Sequence, residues 1–330
     1  MRTFLMGLLL LLCAACSSDD GVTEEAAVVR EVEVAFSPVG FGDAGYNDAI
    51  LYGIQLSCKS HGFRLRMHCP QTVEEGWEVY QSWCARPDDG TERLFVFAAP
   101  EYEQRLRQSP PSLPAGKTVL QFETDAAIPG AATFSLEMYG AAYSLGRLVS
   151  QLVTSAAVVA ANSVDPSLRH WTDGFRDGLR EENAGFPLEV LYLSEQAVGG
   201  YDEAVECYRL AYSLYQQHGF VLPVAGGSNQ GILQYTREHP DGIYTAGTDS
   251  DMSAYSTQVV ASLVKRMDRI IEDYFARWQA EGGLEGHERY GLASDYVEVQ
   301  LSERYGSFAQ RLEEWKKQAI IKEEAYGKNQ

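Results

Sequence analysis

The stretch that decides the fold runs from Val221 to Asp268: V-L-P-V-A-G-G-S-N-Q-G-I-L-Q-Y from Val221, T-A-G-T-D-S-D from Thr245 and V-A-S-L-V-K-R-M-D from Val260. Val221 to Ala225 is an apolar run of strand length. Gly226 and Gly227 let the backbone turn tightly, and Gly231 to Glu238 has helical character until His239-Pro240-Asp241-Gly242 stops it. Ile243 to Ala246 reads as a second strand, and a second helix is expected from Tyr255 through Lys265 to Trp278. Strand, turn, helix, strand is the pattern of an α/β sheet. Asp249 and Asp251 leave the C-terminal end of the second strand, where open α/β sheets bind their ligands. The glycine turn and the acidic turn should therefore open onto one crevice.

Outward from this stretch the alternation continues. Strands are expected at Glu31 to Ser37, Arg93 to Ala98, Lys117 to Phe122, Thr133 to Leu136, Ala156 to Ala161 and Leu188 to Leu193. Helices are expected from Asn47 to His61, Val73 to Ala85, Tyr139 to Leu152, Pro166 to Glu182 and Tyr201 to His218, with a closing amphipathic helix from Phe308 to Ala325. Strands alternating with helices give a parallel sheet with covered faces. About 300 residues of such pattern exceed what one core supports, so two lobes are expected.

Three ordered motifs carry a family resemblance. A-G-G-S-N-Q-G (from Ala225), A-G-T-D-S-D (from Ala246) and S-L-V-K-R-M-D (from Ser262) resemble successive signatures of the basic membrane protein family, and the interval from Asp249 to Lys265 fits as well. D-A-G-Y-N-D, from Asp43, resembles the family's first signature, with Tyr46 where Phe is usual. The segment Y-G-A-A-Y-S-L-G-R-L and the motif W-T-D-G-F-R-D-G-L resemble later ones. Characterised members are lipoprotein receptors for purine nucleosides in ABC transport. The resemblance implies an α/β, type I periplasmic-binding-protein fold: two lobes, each a parallel sheet flanked by helices, joined by three hinge crossovers around a ligand cleft. On this reading residues 27–134 plus 253–283 form the first lobe and 135–252 plus 284–330 the second. A small-molecule ligand and an ABC permease are the implied partners, and no cofactor is needed. The runner-up is a ligand-sensing lipoprotein that presents its closed form to a membrane signalling partner, since this fold serves both uses.

A nucleoside offers a flat base, a hydroxylated sugar and no charge. Sugar hydroxyls are donors that a carboxylate accepts in charge-assisted bonds, so Asp249 is the candidate for the sugar, with Lys265 donating to a sugar oxygen and neutralising it. Tyr46 is expected to stack on the base and Tyr192, at a strand end, to cover its other face. Asn47 suits a sugar or base edge, and Glu101 a ring N–H where family members use an Asp. Asp43, Gly226 and Gly227 complete the expected ligand-binding set.

Other chemistries fit less well. Gly40, Gly42 and Gly45 form G-x-G-x-x-G between a strand and a helix, but Phe63 to His68 ends without the acidic residue that holds a ribose in dinucleotide folds. Gly226-Gly227-Ser228-Asn229-Gln230 lacks the second glycine of a nucleophile elbow, and none of the 6 histidines sits in a triad or metal pattern. The protein is thus not expected to be an enzyme, and no metal is expected. A net charge of −19 and a pI near 4.7 repel phosphate backbones, which excludes nucleic acid as a partner.

The N-terminus reads as export machinery. Arg2, an apolar run to Leu12 and L-C-A-A-C ending at Cys16 resemble a lipoprotein signal, too short to span a bilayer. Residues 1–15 are expected to be removed, Cys16 to carry lipid as the membrane anchor, and 16–26 to be a polar tether, at the periplasmic face or on the cell surface. Cys58, Cys69, Cys84 and Cys207 then remain. Cys69 and Cys84 flank one helix at roughly 20 Å, beyond the reach of a disulfide. Buried free thiols are as good a reading of the set as disulfides.

Overall fold

The computed structural model describes residues 28–125, 127–196 and 199–328; the expected signal, Cys16 and the tether lie outside them. The chain begins with β1 (Arg30–Ala35), α1 (Tyr46–His61), β2 (Arg64–His68), α2 (Val73–Cys84), β3 (Glu92–Phe97), α3 (Glu103–Gln108), β4 (Lys117–Gln121) and β5 (Ala132–Leu136). It continues through α4 (Tyr139–Val149), β6 (Ala156–Asn162), α5 (Ser167–Arg180), β7 (Leu188–Ser194), α6 (Ala204–Leu214), β8 (Phe220–Val224), α7 (Asn229–Glu238), β9 (Tyr244–Asp249) and β10 (Val259–Lys265). It ends with α8 (Met267–Glu281), β11 (His287–Tyr290), β12 (Val297–Leu301) and α9 (Ala309–Gly327).

These strands make two sheets of six. The first has the order β11-β5-β4-β3-β1-β2 and is parallel throughout; the second has the order β12-β10-β9-β8-β6-β7, with only β12 antiparallel. The inner strands read as unbroken apolar runs because helices cover both faces, and β6 is buried at every position. The chain passes between lobes three times: after Leu136, at Arg266, and between Tyr290 and Val297.

Two expectations are corrected here. Val259–Lys265 is strand β10 of the second sheet, not part of a helix beginning at Tyr255. V-V-A-S-L-V-K is seven residues long and β-branched, which favours a strand, and it is buried on both faces between β9 and β12. The connection from β9 carries no helix. It is pinned by the Met252 N–H donating to Ser262 Oγ at 3.0 Å and by Thr236 Oγ1 donating to Ser256 Oγ at 3.1 Å. The lobe boundaries move accordingly. The second crossing lies at Arg266 rather than Ser253, β11 returns to the first sheet so the third crossing follows Tyr290 rather than Leu284, and β5 keeps residues to Leu136 in the first lobe.

Helix α4 is buried along its whole length and lies against α5, both in the second lobe. Their contact depends on glycine. A Cβ at Gly178 would collide with the Tyr143 carbonyl, a backbone atom that cannot swing aside. Gly178→Ala is expected to lower stability by about 1–3 kcal/mol through overpacking, read as a drop in thermal midpoint. An unchanged midpoint would show that the helices have room to part.

Candidate functional site

In both sheets the carboxyl ends of the strands face the same gap, so the loops after β1, β3 and β4 meet those after β6, β8, β9 and β10. The sequence supplies an acid at most of them: Asp43 after β1, Glu101 after β3, Glu123 after β4, Asp165 after β6 and Asp249 at the end of β9. Lys265 ends β10 and brings the cation. Its ammonium lies 2.9 Å from Glu123 of the opposite lobe and 3.4 Å from Asp249 of its own. It also sits over two rings, Tyr46 at 4.9 Å and Trp171 at 5.8 Å, a cation–π cage shared between lobes.

The electrostatics follow from enclosure. Burial pushes the Asp249 and Glu123 carboxyls up, and Lys265 only partly draws them back. Burial pulls the Lys265 ammonium down, but Glu123 and Asp249 together more than offset this, so its pKa is raised and it stays charged. Two carboxyl groups thus share one cation. The three side chains keep 12–16 % of their surface. Glu101 is pushed up chiefly by burial; one carboxylate oxygen takes the Ser37 hydroxyl at 2.6 Å, and the other is buried with no protein donor.

The backbone is strained at the gap. Among the described residues the non-glycine positions with left-handed φ are Ala44, Glu123 and Asp249, at +51°, +48° and +66°. Such conformations cost about 1–3 kcal/mol each and persist only where the surroundings impose them, as at ligand clamps.

The loop from Gly40 to Gly45 explains its own motif. Asp43 accepts the N–H groups of Gly45 and Asn47, each at 2.9 Å, and Asp48 those of Gly42 and Ala44, also at 2.9 Å. The amides that would cradle a phosphate in a dinucleotide fold are filled by the protein's own carboxylates. Asp43 therefore shapes the start of α1, from which Tyr46 and Asn47 project. Asn47 is buried. On the facing lobe, Ser228 is no nucleophile: its hydroxyl donates to Gly200 O at 2.7 Å and accepts the Glu203 N–H at 2.6 Å. Gly226, at φ +52°, and Gly227 bring this turn against Tyr201 and Asp43.

Of the residues singled out from sequence, Asp43, Tyr46, Asn47, Glu101, Gly226, Gly227, Asp249 and Lys265 come together around the gap. Tyr192 does not join them: it is 45 % exposed on β7, the edge strand of its sheet. The tyrosine that stands at the cleft on that side is Tyr201, whose hydroxyl donates to Asp165 at 2.8 Å and whose ring packs over Gly226. Glu123, Trp171 and Tyr201 were missed. Glu123 had a signal, an acid just past a strand's carboxyl end, the same rule that singles out Asp249.

The lobes are closed on each other. Gln230 Nε2 donates across the gap to Asp43 O at 3.2 Å, and the space left between Asp43, Tyr46, Gly226, Asn229, Thr248 and Asp249 is about 10 Å³, the scale of one water.

A model of the family described as Bmp, ABC transporter substrate-binding protein PnrA-like, matches residues 127–330. The chain belongs to the Bmp family. It is a substrate-binding protein of ABC transport, a binding protein and not an enzyme, and works outside the cytoplasm with a small-molecule ligand and an ABC permease. No curated protein matches the sequence. Solved structures share the fold at low identity. One is a solute-binding protein of an ABC transporter system from Aeropyrum pernix K1, with TM-score 0.72 and 17 % identity over 90 % of this chain and 86 % of that one. A second, from Conexibacter woesei, has TM-score 0.60 and 14 % identity over 87 % and 97 %. A transcriptional activator of the comK gene from Bacillus halodurans has TM-score 0.67 and 15 % identity over 90 % and 97 %. The fold of this Bmp protein thus also serves regulators. Among the described residues no helix is long and apolar enough to cross a membrane.

Proposed function

We propose that this Bmp protein is a lipid-anchored receptor that closes on a purine nucleoside, with Cys16 as the lipidated residue. The observation that carries the ligand class is the cluster of Asp249, Glu123 and Lys265 beneath the rings of Tyr46 and Trp171. Carboxylates take the hydroxyl donors of a sugar, aromatic faces take a base, and acidic groups that outnumber the one lysine disfavour a phosphorylated ligand. Glu101, with an unpartnered buried oxygen, is placed to take a ring N–H. Tyr201 supplies the second aromatic surface. The space between Asp43, Tyr46, Gly226 and Asp249 is far smaller than a nucleoside, so loading there requires the lobes to part.

Calorimetry with inosine, 2′-deoxyinosine and hypoxanthine tests this reading. Native protein is expected to rank them in that order. Tyr46→Ala should weaken inosine and deoxyinosine together, by about 1–3 kcal/mol as for a lost base–aromatic stack, because a ring face does not sense hydroxyls. Equal affinity of native protein for inosine and deoxyinosine would remove the nucleoside reading. Mass spectrometry of the exported protein, with and without Cys16→Ser, tests the anchor.

A further inference from the structure

One buried carboxylate ties the first and third crossings together. Glu323, near the end of α9, accepts the Gly140 N–H at 2.7 Å with one oxygen and the Leu292 N–H at 2.8 Å with the other. Gly140 lies just beyond the first crossing and Leu292 within the third. The same two segments are joined by the Glu137 N–H donating to Tyr290 O at 2.7 Å. The chain leaves a place for this carboxylate: a Cβ at Gly291 would collide with Glu323.

We propose that Glu323 is a positioning residue of the hinge, a staple between the first and third crossings whose protonation shifts the ligand-free protein from closed towards open.

Burial pushes the Glu323 carboxyl up to about 7; the two N–H bonds hold it down, the Glu137 carboxylate raises it and His170 lowers it. It therefore titrates in the neutral range. Glu137 lies 2.8 Å from Arg289 of β11 and 3.0 Å from His170 of α5, and these two partners outweigh burial to hold it below the usual carboxylate range. The Tyr139 and Tyr326 rings stack beside them at 4.4 Å, their hydroxyls bonded to Asp177 at 2.6 Å and Asp173 at 2.9 Å. Lys322 turns away to Glu181 at 2.8 Å.

The sign follows from which contacts opening breaks. Helix α9 packs on α4 in the second lobe, so the Gly140 bond lies within that lobe, whereas Leu292 comes two residues after the end of β11 in the first sheet, so opening pulls on the Leu292 bond. Losing the Leu292 N–H removes a bond to the charged form and raises the carboxyl further. The open form then binds the proton more tightly. Acid favours opening, and closing releases a proton.

Small-angle scattering of the full chain without ligand reads this independently of what the cleft binds. The native radius of gyration is expected to rise between about pH 8 and about pH 6, with a midpoint near 7. Glu323→Gln should hold the acid value throughout, and Gly291→Ala, which displaces the carboxylate without altering any titratable group, should do the same. Circular dichroism checks that both variants fold. A native radius that stays flat across this range overturns the proposal whatever the variants do. So does a native step that survives in Glu323→Gln or in Gly291→Ala.

Discussion

Asp249→Asn is expected to cost inosine affinity about a hundredfold or more, because charge-assisted bonds to two sugar hydroxyls contribute about 1.5–3 kcal/mol each. Asparagine is the informative replacement. Asp249 sits at φ +66°, a conformation that asparagine tolerates and alanine does not, so Asp249→Ala would mix a binding loss with backbone strain. The fold should survive, since burial already disfavours the charged carboxylate and Lys265 keeps Glu123 as its nearer partner at 2.9 Å. The diagnostic outcome is selectivity. The variant should bind inosine and 2′-deoxyinosine alike, where the native protein separates them. A variant that still separates them by calorimetry would place the sugar elsewhere.

The second large effect is expected at Lys265. Lys265→Met leaves Glu123 and Asp249 enclosed with no cation between them, and breaking a buried pair from one side costs about 3–5 kcal/mol. The loss should depend on pH in a definite direction. Both acids already have pKa values raised above their ordinary 4.5 and 3.8, and removing the lysine raises them further. A raised carboxyl binds more protons folded than unfolded, so stability is full below the unfolded value and falls as pH climbs towards the folded one. The variant should therefore melt higher at about pH 5 than at about pH 8, with a steeper slope than native protein. Parallel melting curves for the two would mean that the carboxylates escape to water when the lysine is gone.

Much of this was legible before any coordinates. The two-lobed α/β plan followed from alternating strand and helix patterns, and Asp249, Lys265 and the glycine turn followed from motifs in residues 127–330, the part the Bmp family model matches. Val259–Lys265 was not legible, because a short, mostly apolar run suits a buried strand or a buried helix equally in period, and an adjoining true helix lent its pattern to it. The lobe boundaries failed with it. Trp171 was visible only as part of a motif. It reaches the site because α5 carries its ring to Lys265 from across the sheet, a tertiary fact with no local period. Tyr192 failed for a related reason: a strand end predicts the cleft only for inner strands, and nothing local marks β7 as an edge.

The late return of β11 to the first sheet bears on how the molecule is made. Neither lobe is a continuous stretch, so no single recombination point can exchange one lobe for that of a relative. A graft of the second lobe must carry residues 138–266 and 291–328 together. During synthesis and export, at about 5–20 residues per second, the whole second-lobe sheet except β12 emerges before His287 can pair with Thr133. Until then β5 offers a bare, apolar edge, the kind of surface on which chains stick to one another. The order of emergence thus places the period of greatest exposure to holdases and proteases between the appearance of Leu136 and that of Tyr290.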